Sequence, residues 1–140
     1  MQDLAVLKQL TAQLGELETR NYEQRKYLER MFDQLPVGLA AVALDGSVIL
    51  INRYVCQMLG YTAAELTSMS FEDITHPDDF ATDWNLYEKL QRGEIPSYNL
   101  TKRYIRKDGS TIVGNLYVGL VSDENGEPHH GVAVLTKVGT

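Results

Sequence analysis

The chain has 140 residues, 44% hydrophobic and 23% charged, with a formal net charge of -6, which suits one soluble domain and an appendage. No apolar run approaches the roughly 20 residues of a membrane span, and the start lacks the basic-then-apolar order of a signal peptide. The single cysteine, Cys56, excludes an internal disulfide and a cysteine zinc site, while the nine acids and three bases of residues 34–96 exclude the basic surface that nucleic acid requires; a cytoplasmic protein is expected.

Residues 3–31 read as one helix, free of proline and with one glycine, Gly15. Leu7, Leu10, Leu14, Leu17, Asn21, Gln24, Leu28 and Met31 follow alternating steps of three and four, a heptad seam. The polar residue Asn21 at an a position costs stability but sets register and a two-stranded state. A parallel homodimeric coiled coil through Leu7, Leu10, Leu14, Leu17, Asn21 and Leu28 is expected. The alternative is an amphipathic helix folded back on its own domain. An isolated helix of this length is marginal in water, so either way it needs a partner. The expected organisation is a helix over 1–33 and a domain over 34–140.

Leu35-Pro36 ends the helix, because proline disfavours helical backbone in the residue before it. Residues 37–44 are apolar on both faces and read as a central strand. Asp45-Gly46 is a hairpin turn and residues 47–52 return. Arg53 to Leu59 reads as a short helix closed by Gly60. Thr62-Ala63-Ala64-Glu65 is a capping box that opens another. Phe71 to Ile74 is a single turn. His76-Pro77-Asp78-Asp79 starts a longer helix, with acids first and Lys89 and Arg92 last, as the macrodipole prefers. Its apolar stripe reads Phe80, Trp84, Tyr87 and Gln91, with Leu90 beside it. Residues 98–105 and 111–118 are strands joined at Asp108-Gly109, where both central residues are expected at positive φ. Asp123-Glu124-Asn125-Gly126 turns into a last strand over 130–138. Five antiparallel strands with helices on one face make an α+β sandwich.

In this order the motifs resemble those of the PAS (sensory-box) family of signalling domains. Val37-Gly38 before Asp45-Gly46 is similar to its first hairpin. Asn52, Gly60-Tyr61 and Glu65-Leu66 are similar to its Asn…Gly-Tyr…Glu-Leu signature. Ile74-Thr75-His76-Pro77-Asp78-Asp79 resembles its Ile-x-His-Pro-Asp-Asp turn, and Arg106-Lys107-Asp108-Gly109-Ser110 its Lys-Asp-Gly hairpin. The resemblance covers residues 34–138. It implies a PAS fold of strand order 2-1-5-4-3, a cavity between sheet and helices, and dimers through the outer sheet face or a preceding helix. Leu135 to Thr140 lacks the Asp of the Asp-Ile-Thr-like exit that many members have.

Parity puts Tyr98, Leu100, Lys102 and Tyr104, then Ile112, Gly114, Leu116 and Val118, then Gly131, Ala133 and Leu135, on the side that the resemblance turns toward the cavity. These positions are mostly apolar. Flavin-binding relatives offer side-chain amides and a nearby cysteine; here Asn115 has the opposite parity and Cys56 comes too early. Haem-binding relatives need a histidine on the long helix, and residues 80–92 have none. No haem, flavin or other cofactor is expected. Plain core packing is favoured over a small apolar ligand, for which Trp84, Tyr87, Tyr98, Tyr104 and Leu116 are the candidate lining residues.

No catalytic or metal constellation stands out. Cys56 has no histidine near it in sequence. His129 and His130 sit with Glu124 and Glu127, but adjacent strand residues point to opposite faces and are not expected to converge. Asp78, Asp79 and Asp83 read as helix-start acids, and residues 123–126 lack the length of a calcium loop. The resemblance therefore implies a non-enzymatic sensory and dimerisation module of a larger signal-transduction protein, such as a two-component sensor kinase, a cyclase or a transcription regulator. It would relay conformational change through its helix and sheet to an effector domain or partner protein. The outward residues Val113, Asn115, Tyr117 and Val121 are the expected docking face, with Tyr117 in the dimer interface. The alternative is a ligand-free protein-interaction adaptor.

Overall fold

The computed structural model describes residues 2–139, apart from the side chains of residues 2–4, 7, 10, 14, 17 and 18. The chain forms two compact units, Met1–Gln34 and Leu35–Thr140. The first is one helix, α1 (Gln2–Gln34), which runs to the residue before Leu35-Pro36. The side chains of the expected interface residues Leu7, Leu10, Leu14 and Leu17 lie outside what is described. Asn21 and Leu28 are exposed. Tyr22 carries Arg25 and Lys26 against its ring at 5.7 and 5.6 Å, and Lys26 pairs with Glu29 at 3.4 Å. Such exposed contacts add only tenths of a kcal/mol each, so they do not by themselves hold a helix of this length.

The second unit is a five-stranded antiparallel sheet with helices on one face. Its elements are β1 (Gly38–Ala43), β2 (Val48–Ile51), α2 (Arg53–Leu59), α3 (Ala63–Leu66), α4 (Pro77–Gln91), β3 (Ser97–Ile105), β4 (Thr111–Ser122) and β5 (Pro128–Lys137). The strand order is β2-β1-β5-β4-β3. The inward parity holds along three strands: Tyr98, Lys102 and Tyr104 on β3, Ile112, Leu116 and Val118 on β4, and Ala133 and Leu135 on β5 are all buried. Register pairs Leu116 with Leu100 and Leu135, and Val118 with Tyr98 and Ala133, so the inward side chains stack in rows across the sheet.

The hairpins close differently from the two-residue turn expected. In each, only the glycine has positive φ, 95° at Gly46, 86° at Gly109 and 80° at Gly126, and among the described residues no non-glycine residue does. The amide of that glycine donates to the carbonyl three residues back: Gly46 to Ala43 at 2.9 Å, Gly109 to Arg106 at 2.9 Å and Gly126 to Asp123 at 3.0 Å. This is a type I turn followed by a glycine bulge. The preceding aspartate does not need positive φ because its carboxylate works as an acceptor instead. Asp45 accepts from the Ser47 amide and Asp108 from the Ser110 amide, both at 2.9 Å.

Between sheet strands the motifs noted in the sequence act as caps and ties. Asn52 is fully buried and joins three segments. Its Oδ1 accepts from the amides of Leu39 (3.0 Å) and Val55 (3.5 Å), and its Nδ2 donates to the Val37 carbonyl at 2.9 Å. It thereby caps α2 while fixing the entry to β1. Thr62 and Glu65 form the reciprocal capping box, and Glu65 also meets the Lys107 ammonium at 2.8 Å. His76 caps α4, its Nδ1 accepting from the Asp78 amide at 3.1 Å. The segment 70–76 is turns and bridges rather than helix. Through it the His76 amide donates to the Arg103 carbonyl and the Ile105 amide to the Ile74 carbonyl, both at 2.9 Å, which covers one end of the free edge of β3.

Two close approaches set the fit of α4 on the sheet. A Cβ at Gly131 would lie 2.7 Å from the Tyr87 ring and hydroxyl, and that hydroxyl shares its one proton between the Val42 and Ala43 carbonyls, each at 3.0 Å. Burial pushes the Tyr87 hydroxyl pKa up to about 12, so it remains a donor at neutral pH. Asn52→Ala removes a cap and strands the half-buried Leu39 amide. It should lower the unfolding free energy in urea by about 2–3 kcal/mol, with an unchanged slope.

Candidate functional site: a cavity with a buried ion pair

The helices and the inner sheet face enclose a cavity of about 50 Å³. Most of its wall is apolar, from Ala40 and Val48 on the first hairpin to Leu116, Val118 and Ala133 on the central strands. One corner is not. Asp83 of α4 and Lys102 of β3 reach into it with 1% and 3% of their surface exposed.

The two form an ion pair, Lys102 Nζ to Asp83 Oδ2, at 2.5 Å. Lys102 donates a second hydrogen bond to Thr75 Oγ1 at 2.8 Å, and Thr75 passes its own proton to the Phe71 carbonyl at 2.6 Å. The Tyr98 hydroxyl donates to the other Asp83 oxygen, Oδ1, at 2.8 Å. The ammonium also lies 4.7 Å from the Tyr104 ring centre and 5.3 Å from that of Phe71, which adds cation–π attraction. Burial lowers the Lys102 pKa, against the raising effect of Asp83. Burial first and the Asp83 charge second raise the pKa of both Tyr98 and Tyr104 far above the ordinary range, so both phenols stay protonated. The Tyr104 hydroxyl is buried and has no hydrogen-bond partner among the described residues.

A second pair sits one helical turn away at the rim. Arg103 clasps Asp79 with Nε at 3.0 Å and Nη2 at 2.9 Å, and its backbone amide donates to the same carboxylate at 2.8 Å. The guanidinium, more than the amide, holds the Asp79 carboxyl down at about 2. Consecutive residues of β3 thus grip acids four apart on α4, which share one helix face.

Four of the five lining candidates, Tyr87, Tyr98, Tyr104 and Leu116, do line this cavity. Trp84 does not. It stacks with Phe71 at 5.8 Å and Phe80 at 6.2 Å, outside the wall. The helix is turned so that Asp83, Tyr87 and Leu90 are its buried stripe, and Phe80, Trp84 and Gln91 are half-buried beside it. Asp83 is therefore not a solvated helix-start acid but the partner of a buried lysine. The signal was a lysine at an inward strand position, with an aspartate three residues from Phe80 and four from Tyr87. Asn115 bonds Asn99 and Thr101 on the outer face, at 2.8 and 2.9 Å. Tyr117 is also outward, 56% exposed. His129 and His130, expected to diverge, meet with Nδ1 atoms 2.7 Å apart. The register shift at Val121/Ser122, opposite the start of β5, twists the strand enough to bring the two rings together. Among the described residues no three His, Cys, Asp or Glu side chains form a metal-binding group.

Removing one partner of the buried pair leaves a desolvated charge. Lys102→Met and Asp83→Leu should each lower stability by about 3–5 kcal/mol, while the two together should recover most of the loss. Urea unfolding of the four proteins checks this coupling. At the rim the folded Asp79 carboxyl lies below its ordinary value of 3.8. Its contribution is complete above about pH 4 and is lost as pH falls toward about 2. Asp79→Asn should flatten the stability profile in that window and leave the shape near neutrality unchanged.

Comparison with known proteins agrees with the fold. The PAS domain of an HTR-like protein from Haloarcula marismortui matches 89% of this chain and 99% of its own, with a TM-score of 0.76 and 22% identity. The probable diguanylate cyclase DgcE of Escherichia coli K12 is 31% identical over 116 residues, 83% of this chain and 10% of its own length. The sensor histidine kinase TmoS of Ectopseudomonas mendocina is 24% identical over 98 residues, 70% of this chain and again 10% of its own. The chain thus spans about a tenth of these curated relatives. The family model for the PAS fold matches residues 48–135, and with this match the chain belongs to the PAS fold family.

Proposed function

We propose that this chain is the sensory and dimerisation module of a larger cytoplasmic signal-transduction protein, and that it carries no reaction itself. One observation supports the non-catalytic reading above others. Both carboxylate oxygens of Asp83 are engaged by Lys102 and Tyr98 inside the core, so the most buried acid is already committed to structure. The Thr75 hydroxyl beside Lys102 is committed in the same way, since it accepts from the lysine and donates to the Phe71 carbonyl. The matched portions of a diguanylate cyclase and a sensor kinase point to an effector, enzymatic in those proteins, that is fused to the module.

In this reading two protomers pair through the seam of α1, and an input at the cavity biases how the sheet and that helix pair are arranged. Only an input with different affinity for two arrangements does so. A specific feature favours the adaptor reading as a second: Val113, Tyr117 and Val134 are exposed on the outer sheet face, with Tyr117 and Val134 opposite each other in register. That face offers an apolar surface to a protein partner.

Native mass spectrometry of the chain should find a mass near twice 15.8 kDa. Leu14→Glu with Leu17→Glu should return monomers and, in the full-length protein, uncouple effector output from input. Dimers that survive the double substitution, with output unchanged, would reject the helix as the relay and leave the sheet face as the association surface.

A further inference from the structure

We infer that the cavity binds a small neutral solute bearing a carbonyl or hydroxyl oxygen, received where Tyr104 meets the Asp83–Lys102 pair. The inference rests on the sensory reading above and names the class of molecule that such a module would detect.

Size comes first. The space of about 50 Å³ compares with the roughly 10–15 Å³ needed to seat one water. It therefore suits a molecule of about three to five non-hydrogen atoms.

Charge comes second. The polar corner holds one acid and one base in contact, so it is neutral as a unit. An anion drawn to Lys102 meets Asp83 beside it, and a cation drawn to Asp83 meets Lys102. Either ion would also leave its hydration shell for an apolar wall, at a cost this pair is not free to offset. A neutral molecule avoids both penalties.

Hydrogen bonding comes third. The Tyr104 hydroxyl is a buried donor and acceptor with no protein partner among the described residues, on a residue only 2% exposed. Such groups are rare in folded proteins and destabilise until something meets them. Of the three protons on Lys102, Asp83 and Thr75 take two, and the ammonium lies against the Tyr104 ring. An acceptor oxygen at this corner satisfies Tyr104 while its carbon atoms rest on Leu116, Val118 and Ala133. Short amides, ketones and alcohols have this form; hydrocarbons and carboxylates do not.

Acetamide and acetate are nearly the same size and differ in charge, so they serve as probes. Titration of the whole chain with each, followed by methyl NMR at Leu116, Val118 and Ala133, reads binding at the cavity wall. Acetamide should give saturable shifts with a millimolar Kd, as a four-atom ligand allows, and acetate should bind at least tenfold more weakly. Tyr104→Phe should weaken acetamide about tenfold, while the free protein keeps or raises its melting temperature, because the change removes an unpaired buried hydroxyl. Equal binding of the two probes, absence of saturation, or wild-type affinity in Tyr104→Phe would overturn the inference. The probe comparison requires no variant, so misfolding cannot hide the answer. A negative result here would leave family membership and the dimer experiment standing, since neither depends on the cavity's occupant.

Discussion

A lysine ammonium placed inside a protein core must be met by a carboxylate, and much of this domain is arranged around meeting it. Lys102 occupies an inward position of β3, so α4 must present an acid there. That requirement sets the rotation of the helix: Asp83 points in, and with it Tyr87 and Leu90 on the same face. It also draws Thr75, and therefore the segment before α4, against the strand. Tyr98 completes the carboxylate from four residues earlier on the same strand. Hydrogen bonds from three separate segments converge on two charged atoms groups that no water reaches easily, which leaves little freedom to slide α4 along the sheet.

The rim pair makes the same docking doubly determined. Arg103 follows Lys102 and points to the other face, yet both reach α4 because β3 is an edge strand and Arg103 can wrap around it. Acids at 79 and 83 lie one turn apart on a single helix face. Shifting α4 by one residue would break both contacts at once, whereas a small tilt would strain them unequally. The domain has in this geometry a firm joint between helix and sheet rather than a smooth sliding surface.

Much of the fold was legible in the chain because its punctuation is local. The three Asp-Gly or Asn-Gly turns, the Thr62–Glu65 capping box, the Pro77 start of α4 and the alternation along β3 to β5 each depend on neighbours in sequence. Even so, local signals misjudged the hairpins, where an aspartate carboxylate took over part of a job expected of positive φ. The site was harder to read. Tyr87, Tyr98, Tyr104 and Leu116 followed from parity, but the Asp83–Lys102 pair joins residues 19 apart on different elements. Read singly, Asp83 looked like one more acid near a helix start, and Lys102 like an interruption of an apolar row. Only their juxtaposition shows that each explains the other. Trp84 was misplaced for the same reason, since the apolar stripe of α4 alone does not report which way a buried acid will turn the helix.

One wall of the cavity belongs to neither sheet nor long helix. Phe71 and Ile74 contribute it from the segment 70–76, which two backbone hydrogen bonds and the Thr75 hydroxyl fasten to β3. Every other wall is secured by a strand ladder or by the packed face of a helix. The division has a kinetic meaning. For the solute inferred above, the deep polar corner would set what is accepted, and the fastening of this short segment would set how long it stays. Residence time and selectivity then meet at Thr75, whose hydroxyl belongs both to the fastening and to the polar corner.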